Sequence, residues 1–419
     1  MDRSRSDVLI MGGGVIGLAC ALYLLKAGAR VRVLEQDTPG AGSSHGNCGT
    51  ITPSHAGPLT MPGMVGTALR SMLRKDAPLY VDPRLDPERA RWLLGFARRC
   101  TWRDFQAAGE ARGAILARSR ALIGELIASD ALDCEFEDVG ELYVYRDARA
   151  VQHDRPHVEL LRRLGMDVRV LMGDDVLALE PSLREGVVGG LLHPGDARLR
   201  PDRYVAELAR RVRELGGAIE TGARVDSFVM DGATVSHVRT TGGVFSGDRV
   251  VMALGAWSPL VGRLLGIRLP MQPGKGYSLT WQQPPVASPT HSLVLREAAV
   301  CVTPWATGYR LGSTMELSGF NEGLNDVRLA ALRRGAADYL LEPEGQGEAT
   351  PWWGWRPMSV DELPIIGPSA RWSNLVYATA HGMLGISMSA ATGELVANLL
   401  AGPAPVLDAL PYSPVRFGL

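Results

Sequence analysis

The hydrophobic pattern of the first forty residues predicts a strand, a tight turn, a helix and a second strand. Residues 7–11 form a short apolar run, as expected of a buried parallel strand. Residues 18–26 combine good helix formers with a helical apolar period, and Gly28 is placed to end that helix. Residues 31–34 are a second apolar strand. This order indicates a Rossmann-type α/β unit.

The rest of the chain predicts further helices, a β-meander and an antiparallel sheet. Pro201 opens an amphipathic helix over 202–215, and Asp231-Gly232 is typical of a hairpin turn. Helices are also expected over 325–340 and 386–400. The strands predicted after residue 217 are 218–221, 223–230, 235–240, 244–245, 249–254, 270–282, 293–303, 309–315 and 375–380.

These elements predict two domains in an α/β protein. The first is a Rossmann-type domain that is discontinuous in sequence, with residues 1–56, 196–270 and 350–419. The second is an α+β domain that contains the antiparallel sheet, with residues 57–195 and 271–349. A chain of 419 residues is long enough to bury two or three cores of substantial size.

Composition narrows the class of protein. The net charge of −1 gives no general attraction to nucleic acid or to an anionic membrane. The five cysteines are scattered without a C-x-x-C pair, which argues against a zinc site or a disulfide framework and favours a reducing compartment. We therefore predict no metal site.

Two stretches leave alternatives open. Residues 8–25 carry no charge and follow two arginines, as a signal peptide or membrane anchor would, although clustered glycines suit neither. The arginine-rich stretch 84–120 is most simply a solvated helix face. It also allows docking on a membrane surface or on an acidic electron-acceptor protein.

The first turn contains a G-x-G-x-x-G motif that predicts a dinucleotide site. Gly12 permits the tight turn, Gly14 allows the backbone to approach a pyrophosphate, and Gly17 allows close packing of helix and strand. The helix N-terminus offers free N–H groups to the phosphates. Glu35, at the end of the second strand, is placed to accept hydrogen bonds from a ribose.

Two later segments bring further candidate residues. The loop 38–51 is rich in small residues and suits a planar ring, with Ser43, Ser44 and backbone N–H groups reaching phosphate or ring atoms. His45 and His55 border it, and a structural role is the simpler interpretation of both. Near the C-terminus, the glycine-containing turn 381–385 leads into a second helix. The N-terminus of that helix is placed to stabilise a negative charge on a ligand.

Arg356 precedes a proline in a tryptophan-rich setting, where its guanidinium fork suits a carboxylate. A structural salt bridge explains this arginine equally well when it is considered alone.

Taken together, these segments resemble the FAD-dependent D-amino-acid oxidase superfamily. The matching pieces are GGGVIG with Glu35, GSSHGNCGTITPSHA, ALGAWSP, PGKGYSLT, GWRPMSVDELPIIGPS and HGMLGIS, spread over residues 7–400. The likeness is greatest to bacterial D-amino-acid dehydrogenases of the small-subunit type. The segments SSHGNCG and PSHAGPLTMPGM resemble D-hydroxyproline dehydrogenases more than D-alanine dehydrogenases. His45, Gly46 and Cys48 are the residues that differ from the corresponding loop of the D-alanine dehydrogenases.

The resemblance implies noncovalent FAD, held by the first domain and covered by the second. It implies that the AMP half of FAD is held by Gly12, Gly14, Val15, Ile16, Glu35 and Gln36, with Gly17 of the same motif among the cofactor-site residues. Val225 is expected near adenine, and Gly255 at a strand end. It implies that the pyrophosphate and the flavin ring are lined by Ser43, Ser44, Asn47, Gly49 and Ile51. It also implies that the pyrimidine edge of the flavin faces Gly382, Met383, Leu384, Gly385 and Ile386. It implies that Arg356 binds the substrate carboxylate, and that Tyr277, His55 and Cys301 are further residues of the substrate pocket.

The reaction implied is oxidative deamination of a D-amino acid, of the D-proline or cis-4-hydroxy-D-proline type, by hydride transfer from Cα to flavin N5. The product is an imine. The alternatives are a glycine- or sarcosine-oxidase-like enzyme that makes hydrogen peroxide, and a non-enzymatic flavin-binding electron-transfer or regulatory module. The electron acceptor, a quinone or another molecule, stays open. We expect a cytoplasmic location, with peripheral contact with the inner face of the membrane left open.

Overall fold

The computed structural model describes residues 5–66 and 77–419. Within these ranges the strands form an eight-stranded sheet, a nine-stranded sheet and a separate two-stranded pair. We call the eight-stranded sheet the first sheet and the nine-stranded sheet the second sheet. The α/β class predicted from the pattern is confirmed, because the first sheet has a parallel centre and the second sheet is mostly antiparallel.

The centre of the first sheet carries the glycine-rich turn. Arg5–Met11 pairs in parallel with Val31–Leu34 on one side and with Gly243–Met252 on the other. Ala218–Glu220 and Leu375–Thr379 extend the parallel part at its two ends. Parallel neighbours need crossover connections, so the carboxyl ends of all five strands lie at one edge, where open α/β sheets bind ligands.

The helix Val15–Lys26 lies in the core of the first domain. It packs against Gly385–Ala401 and against Pro201–Glu214. Gly393 permits the close helix contact, because a Cβ there would lie 2.7 Å from the carbonyl oxygen of Ala19. The uncharged stretch 8–25 is therefore a buried strand and helix of this core. Within residues 5–66 and 77–419, no helix has both the length and the apolarity needed to cross a bilayer.

The two faces of the second sheet have different surroundings: one packs on an apolar core and the other borders a cavity. One face buries Tyr277, Leu293, Val300 and Val302 in an apolar core that also contains residues of the helix Asp326–Ala337. The intervening residues point the other way, because successive side chains of a strand alternate between the two faces of a sheet. That second face borders the cavity described below.

The elements have the following bounds. Strands are Arg5–Met11, Val31–Leu34, Thr50–Ile51, Leu79–Val81, Glu141–Tyr145, Arg169–Met172, Gly189–His193, Ala197–Arg198, Ala218–Glu220, Val225–Asp231, Thr234–Thr240, Gly243–Met252, Met271–Trp281, Ser292–Leu295, Val300–Trp305, Gly308–Leu317, Thr350–Ser359, Ile365–Pro368 and Leu375–Thr379. Helices are Val15–Lys26, Pro87–Ala97, Trp102–Asp130, Ala148–His153, Arg155–Arg163, Gly173–Leu179, Pro201–Glu214, Ser258–Leu264, Asp326–Ala337 and Gly385–Ala401.

Three predictions about the elements need correction. The apolar stretches 244–245 and 249–254 belong to one continuous strand, Gly243–Met252, which serves both the meander and the parallel sheet. The predicted strand 293–303 is a hairpin of two strands, with Ala299 at φ +50° in its turn. Thr350–Ser359 pairs along its whole length with Met271–Trp281 in the second sheet, whereas the prediction gave it to the first domain. The remaining domain boundaries stay a prediction.

Candidate functional site

A cavity of about 720 Å³ opens at the carboxyl edge of the first sheet and extends to the second sheet. Its lining includes the first turn, the loop after the second strand, the turn before the C-terminal helix and residues of the second sheet. Segments far apart in sequence therefore meet around one space of the size that protein ligands occupy.

Steric fit explains two of the three motif glycines. Gly12 has φ +107°, and a Cβ there would lie against the carbonyl of Ala253. A Cβ on Gly17 would overlap the carbonyl oxygen of Gly12. Gly14 differs, since a Cβ there would meet only the hydroxyl of Ser44, 3.6 Å away. Because Gly14 also lines the cavity, the space beside it is available to a ligand.

Backbone N–H groups at the start of the first helix donate to side chains that line this space. Gly14 is its N-cap and makes no side-chain cap bond, while the N–H of Val15 donates to Ser44 Oγ at 3.2 Å. The Glu35 carboxylate accepts from the N–H of Gly13 at 2.7 Å and from that of Asp37 at 3.0 Å. Burial raises the pKa of Glu35, and these donors oppose the rise. Glu35 thus lies at the cavity edge beside the turn.

A second helix N-terminus meets the first. Gly385 begins the helix Gly385–Ala401, and a Cβ on it would lie 3.9 Å from Val15 Cγ1. Gly382, at φ +56°, makes the sharp turn before it. Two helix dipoles therefore direct their positive ends into one cavity, which favours an anionic ligand there.

Hydrogen bonds tie the three cavity segments together. Ser43 Oγ donates to the carbonyl of Trp355, and Asn47 Nδ2 donates to the carbonyl of Met383 at 3.3 Å. The N–H of Gly382 donates to the carbonyl of Pro357 at 3.0 Å. These bonds place the small-residue loop, the strand that carries Arg356 and the turn of the C-terminal helix around the same space.

Arg356 is held by backbone and has no acidic partner among the described residues. Its Nη1 donates to the carbonyl of Thr314 at 2.5 Å and its Nη2 to that of Ser313 at 3.3 Å. Burial lowers the pKa of Arg356, although the group remains a cation in proteins. The salt-bridge interpretation is therefore wrong for the described part of the chain, and a cavity-lining cation is left without a counter-charge.

The far end of the cavity is polar. His55 Nε2 lies 3.0 Å from Glu141 Oε2. Burial alone lowers the pKa of His55, but the charge and hydrogen bond of Glu141 outweigh it and raise that pKa. Arg296 pairs with Asp154 through bonds of 2.6 and 2.8 Å. Tyr143 and His157 complete this end of the cavity.

Arg112 corrects the prediction for the arginine-rich stretch. Its side chain is buried, pairs with Glu362 at 3.0 Å and lines the cavity. That arginine is therefore part of the interior rather than of a solvated face. Other members of the stretch, such as Arg103, are largely exposed as predicted.

Asp196 is expected to give stability a dependence on pH. It is buried and accepts from the N–H and hydroxyl of Ser54; burial raises its pKa to about 8, and the nearby Glu141 adds to the rise. A carboxyl with a raised folded pKa binds more protons when folded, so stability falls as pH rises from about 4 to 8, by at most about 1.4 kcal/mol per pH unit. His55, with its raised pKa, acts in the same direction.

The variant Asp196→Asn keeps an acceptor for Ser54 and removes the titration. Its melting temperature should fall less steeply between pH 5 and 8 than that of the unmodified protein, measured in matched buffers. The charge of Asp196 helps to raise the pKa of His55, so its removal also weakens the His55 contribution and flattens the slope further. Parallel slopes for the two proteins would contradict the expectation.

Most of the predicted site residues line this cavity, although their roles stay predictions. Those that line it are Gly12, Gly14, Val15, Ile16, Glu35, Gln36, Ser43, Ser44, Asn47, His55, Val225, Gly255, Cys301, Arg356, Gly382, Met383, Leu384, Gly385 and Ile386.

Four predicted residues lie outside the cavity lining. Tyr277 is a correction: it belongs to the opposite face of the second sheet, where its hydroxyl donates to Glu316 at 3.0 Å. Ile51 is fully buried in the first core, and its neighbour Thr50 lines the cavity instead. Gly17 and Gly49 shape the backbone, since a Cβ on Gly49 would overlap the carbonyl of Leu199.

Sequence reasoning missed several residues of the site. Arg310 is buried in the second sheet and donates to the carbonyls of His45 and Asn47, which fixes the small-residue loop. Trp352 packs where a side chain on Gly46 would lie. Tyr143 also lines the cavity. The alternation of the strand Glu141–Tyr145 offered a signal for Tyr143, whereas the two other contacts are long-range.

Comparison with known proteins settles the family. The profile of the family described as "DAO: FAD dependent oxidoreductase" matches residues 7–399, most of the chain. The chain belongs to this family. This FAD-dependent oxidoreductase is similar to a D-amino acid dehydrogenase of Bradyrhizobium diazoefficiens, with 34% identity over 406 residues and 96% of each chain covered. A D-amino acid dehydrogenase of Rhizorhabdus wittichii is 33% identical over 407 residues, which cover 96% of this chain and 97% of the relative.

Solved structures agree on the fold. Glycine oxidase from Geobacillus kaustophilus superposes with a TM-score of 0.78 at 24% identity, and the match covers 98% of both chains. L-proline dehydrogenase from P. horikoshii superposes with a TM-score of 0.75 at 18% identity, covering 99% of this chain and 98% of that one. The prediction of an FAD-binding fold with a second α+β part is confirmed.

The residues present fit FAD, the cofactor of the family. Gly14 leaves a space beside the first turn that a Cβ would fill. The N-terminus of the first helix supplies backbone donors for a pyrophosphate. The second helix N-terminus, at Gly385, lies beside it and favours negative charge on a ring system. Glu35 is the acceptor at the strand end that a ribose requires.

Proposed function

We propose that this FAD-dependent oxidoreductase oxidises a D-amino acid to its imine, with cyclic D-amino acids of the D-proline or cis-4-hydroxy-D-proline type as the preferred class. The relatives of similar length are named D-amino acid dehydrogenases. The observation that carries the proposal is Arg356, a half-buried cation that borders the cavity and lacks an acidic partner in the described part of the chain.

An amino acid supplies the counter-charge that Arg356 lacks. A guanidinium fork binds a carboxylate with two parallel hydrogen bonds, which fix its orientation as well as its position. The bound FAD supplies the two-electron acceptor for the Cα–H and C–N oxidation. The work of the protein is then to hold Cα in one place and to stabilise developing negative charge with the two helix N-termini.

The size of the cavity beyond Arg356 favours a small substrate. The Arg356 guanidinium donates to carbonyls of the strand Gly308–Leu317, and Tyr143 lies three strands away in the second sheet. At roughly 4.8 Å per strand, the backbones are about 14 Å apart, and side chains from both ends narrow this gap. The remaining space suits one small amino acid.

Polar groups at the far end support a ring hydroxyl on the substrate. His55, with Glu141 behind it, and Tyr143 present hydrogen-bonding atoms there. A ring hydroxyl of the substrate can hydrogen-bond to these groups, whereas an alkyl side chain cannot. These polar groups therefore favour cis-4-hydroxy-D-proline over D-alanine as the substrate.

The test is an anaerobic substrate panel with the holoenzyme. D-alanine, D-proline, cis-4-hydroxy-D-proline, their L-enantiomers, glycine and sarcosine are mixed separately with the protein, and loss of the oxidised flavin absorbance is followed. The proposal expects the cyclic D-amino acids to react fastest. Faster reduction by D-alanine would remove the cyclic class, and no reduction by any amine would favour the non-enzymatic flavin module.

The acceptor is tested on the same preparation. After reduction with the best substrate, the enzyme is exposed to oxygen or, anaerobically, to a soluble quinone. A dehydrogenase reoxidises faster with the quinone. Rapid reoxidation by oxygen with stoichiometric hydrogen peroxide would support the oxidase alternative.

Gly276 offers a test of the Arg356 position that leaves its charge in place. A Cβ on Gly276 would overlap the guanidinium, so Gly276→Ala must displace it. We expect kcat/KM for the best substrate to fall roughly ten- to hundredfold, the scale of a displacement of about 1 Å in a binding group. FAD content should be unchanged, because Gly276 is remote from the first turn.

The matched control is Gly195→Ala. Gly195 has an ordinary φ, and a Cβ there would have no neighbour within 4 Å. That variant should keep full kcat/KM. If Gly276→Ala folds with an unchanged melting temperature and normal kinetics, the guanidinium does not bind the substrate.

A further inference from the structure

Cys301 faces the cavity beside a position that has no side chain. The strand Val300–Trp305 pairs antiparallel with Gly308–Leu317, and Cys301 lies directly opposite Gly312. Directly opposed residues share one face of a sheet, with Cβ atoms about 4.5–5.5 Å apart. Since Gly312 has no Cβ, the space next to Cys301 is free for a side chain from elsewhere.

The thiol of Cys48 occupies that space. A Cβ on Gly312 would lie 2.6 Å from Cys48 Sγ. The thiol of Cys48 therefore lies beside the side chain of Cys301, and both cysteines line the cavity. Neither is in a disulfide. Because Cys48 Sγ fills the side-chain position opposite Cys301, the two cysteines are placed within reach of the Cβ separation of about 3.5–4.5 Å that a disulfide needs.

The loop that carries Cys48 is held in this place from two sides. Arg310 Nη1 donates to the carbonyls of His45, at 3.0 Å, and Asn47. Asn47 Nδ2 in turn donates to the carbonyl of Met383 at 3.3 Å. These bonds fix the backbone that leads into Cys48 and hold the loop against the second sheet.

The electrostatic surroundings separate Cys48 from the other cysteines. Contact with the Cys301 thiol lowers the pKa of the Cys48 thiol, and the cations of Arg310 and Arg356 act in the same direction. Contact with Cys48 and burial raise the pKa of the Cys301 thiol well above its usual range. Burial raises the pKa of Cys20 and of Cys134 to about 12. Because the thiolate is the reactive form, Cys48 is the nucleophile of the pair.

We propose that Cys48 and Cys301 are a reversible thiol–disulfide pair in the cavity wall, oxidised by hydrogen peroxide. The Cys48 thiolate attacks one peroxide oxygen; an S–O bond forms, the O–O bond breaks, and the departing hydroxide takes up a proton to become water. The sulfur of Cys301 then attacks the sulfenic sulfur; the S–S bond forms, and a second water leaves with the proton of Cys301. Two thiols lose two electrons and two protons, and one peroxide becomes two waters.

The disulfide would join the small-residue loop to the second sheet. The cofactor-side loop and the substrate-side sheet would then be linked covalently next to Arg356. Oxidation should raise the melting temperature of the holoenzyme and change KM for the substrate more than kcat, because the wall beside the carboxylate site changes shape. Reduction with dithiothreitol should reverse both effects.

The experiment maps the bond directly. The purified holoenzyme is reduced, freed of reductant, treated briefly with hydrogen peroxide, alkylated with N-ethylmaleimide and digested without reductant. Mass spectrometry should show one peptide pair that joins Cys48 to Cys301, two hydrogens lighter than the sum of the free peptides and absent after dithiothreitol. Cys20, Cys100 and Cys134 should show no disulfide.

Three variants complete the test. Cys301→Ser should leave a sulfenic acid on Cys48 that dimedone traps, whereas Cys48→Ser should leave Cys301 unmodified. Cys100→Ser, a half-buried cysteine outside the cavity lining, should form the disulfide normally. The proposal fails if both cavity cysteines are fully alkylated after peroxide treatment, or if Cys48 pairs with another cysteine.

Discussion

Replacing Arg356 with alanine is expected to lower kcat/KM for the amino-acid substrate by roughly 30- to 1,000-fold. This range corresponds to about 2–4 kcal/mol, the scale of losing a charged hydrogen-bonding partner in a desolvated site. The guanidinium is anchored to the carbonyls of Ser313 and Thr314 and to the sulfur of Met315, so its removal leaves no buried acid unpaired in the described structure. The loss should therefore appear in catalysis far more than in folding.

The effect is read from steady-state kinetics with flavin content and melting temperature measured on the same samples. Arg356→Lys keeps the charge and loses the fork, so it should recover only part of the activity. Arg30→Ala is the matched control, because Arg30 makes an exposed ion pair with Asp7 at the amino end of the parallel strands, away from the cavity lining. Unchanged kcat/KM in Arg356→Ala would remove the carboxylate-binding role.

The variant Gly14→Val is expected to fold and to lose FAD. A Cβ on Gly14 would meet only Ser44 Oγ, at 3.6 Å, so the added side chain fills space that the protein itself does not use. In the holoenzyme that space belongs to the cofactor phosphates, which approach the backbone at this glycine. We expect a purified protein without flavin colour and with the thermal unfolding of unmodified apoprotein.

Gly17→Val provides the contrast. Its Cβ would overlap the carbonyl oxygen of Gly12, so it should damage folding whether or not FAD is present. Equilibrium dialysis against FAD and melting curves of the apoproteins separate the two outcomes. A yellow Gly14→Val protein with normal affinity for FAD would contradict the assignment of the first turn to the phosphates.

The local elements were predictable because their signals are local. The first turn needs Gly12 at positive φ, and the strand before it and the helix after it follow from apolar spacing within a few residues. The hairpin at Asp231-Gly232 rests on the same kind of signal, and Gly232 has φ +55°.

Longer-range features were predicted less well. The strand Gly243–Met252 was interpreted as two pieces because its first half is half-exposed in the meander and its last residues are buried in the parallel sheet. A single strand that serves two environments has no uniform hydrophobic pattern. The turn within residues 296–299 was missed for a related reason, since apolar residues flank it on both sides.

By itself, the sequence determined the dinucleotide-binding turn, the two helix N-termini and the family, because each depends on residues that are neighbours along the chain. Only the tertiary structure decided which side chains face the cavity. Strand register turned Tyr277 toward the apolar core and Cys301 toward the cavity, and it left Gly312 opposite Cys301 to admit Cys48. A shift of register by one residue would reverse every such assignment, and register is set by pairing between distant segments.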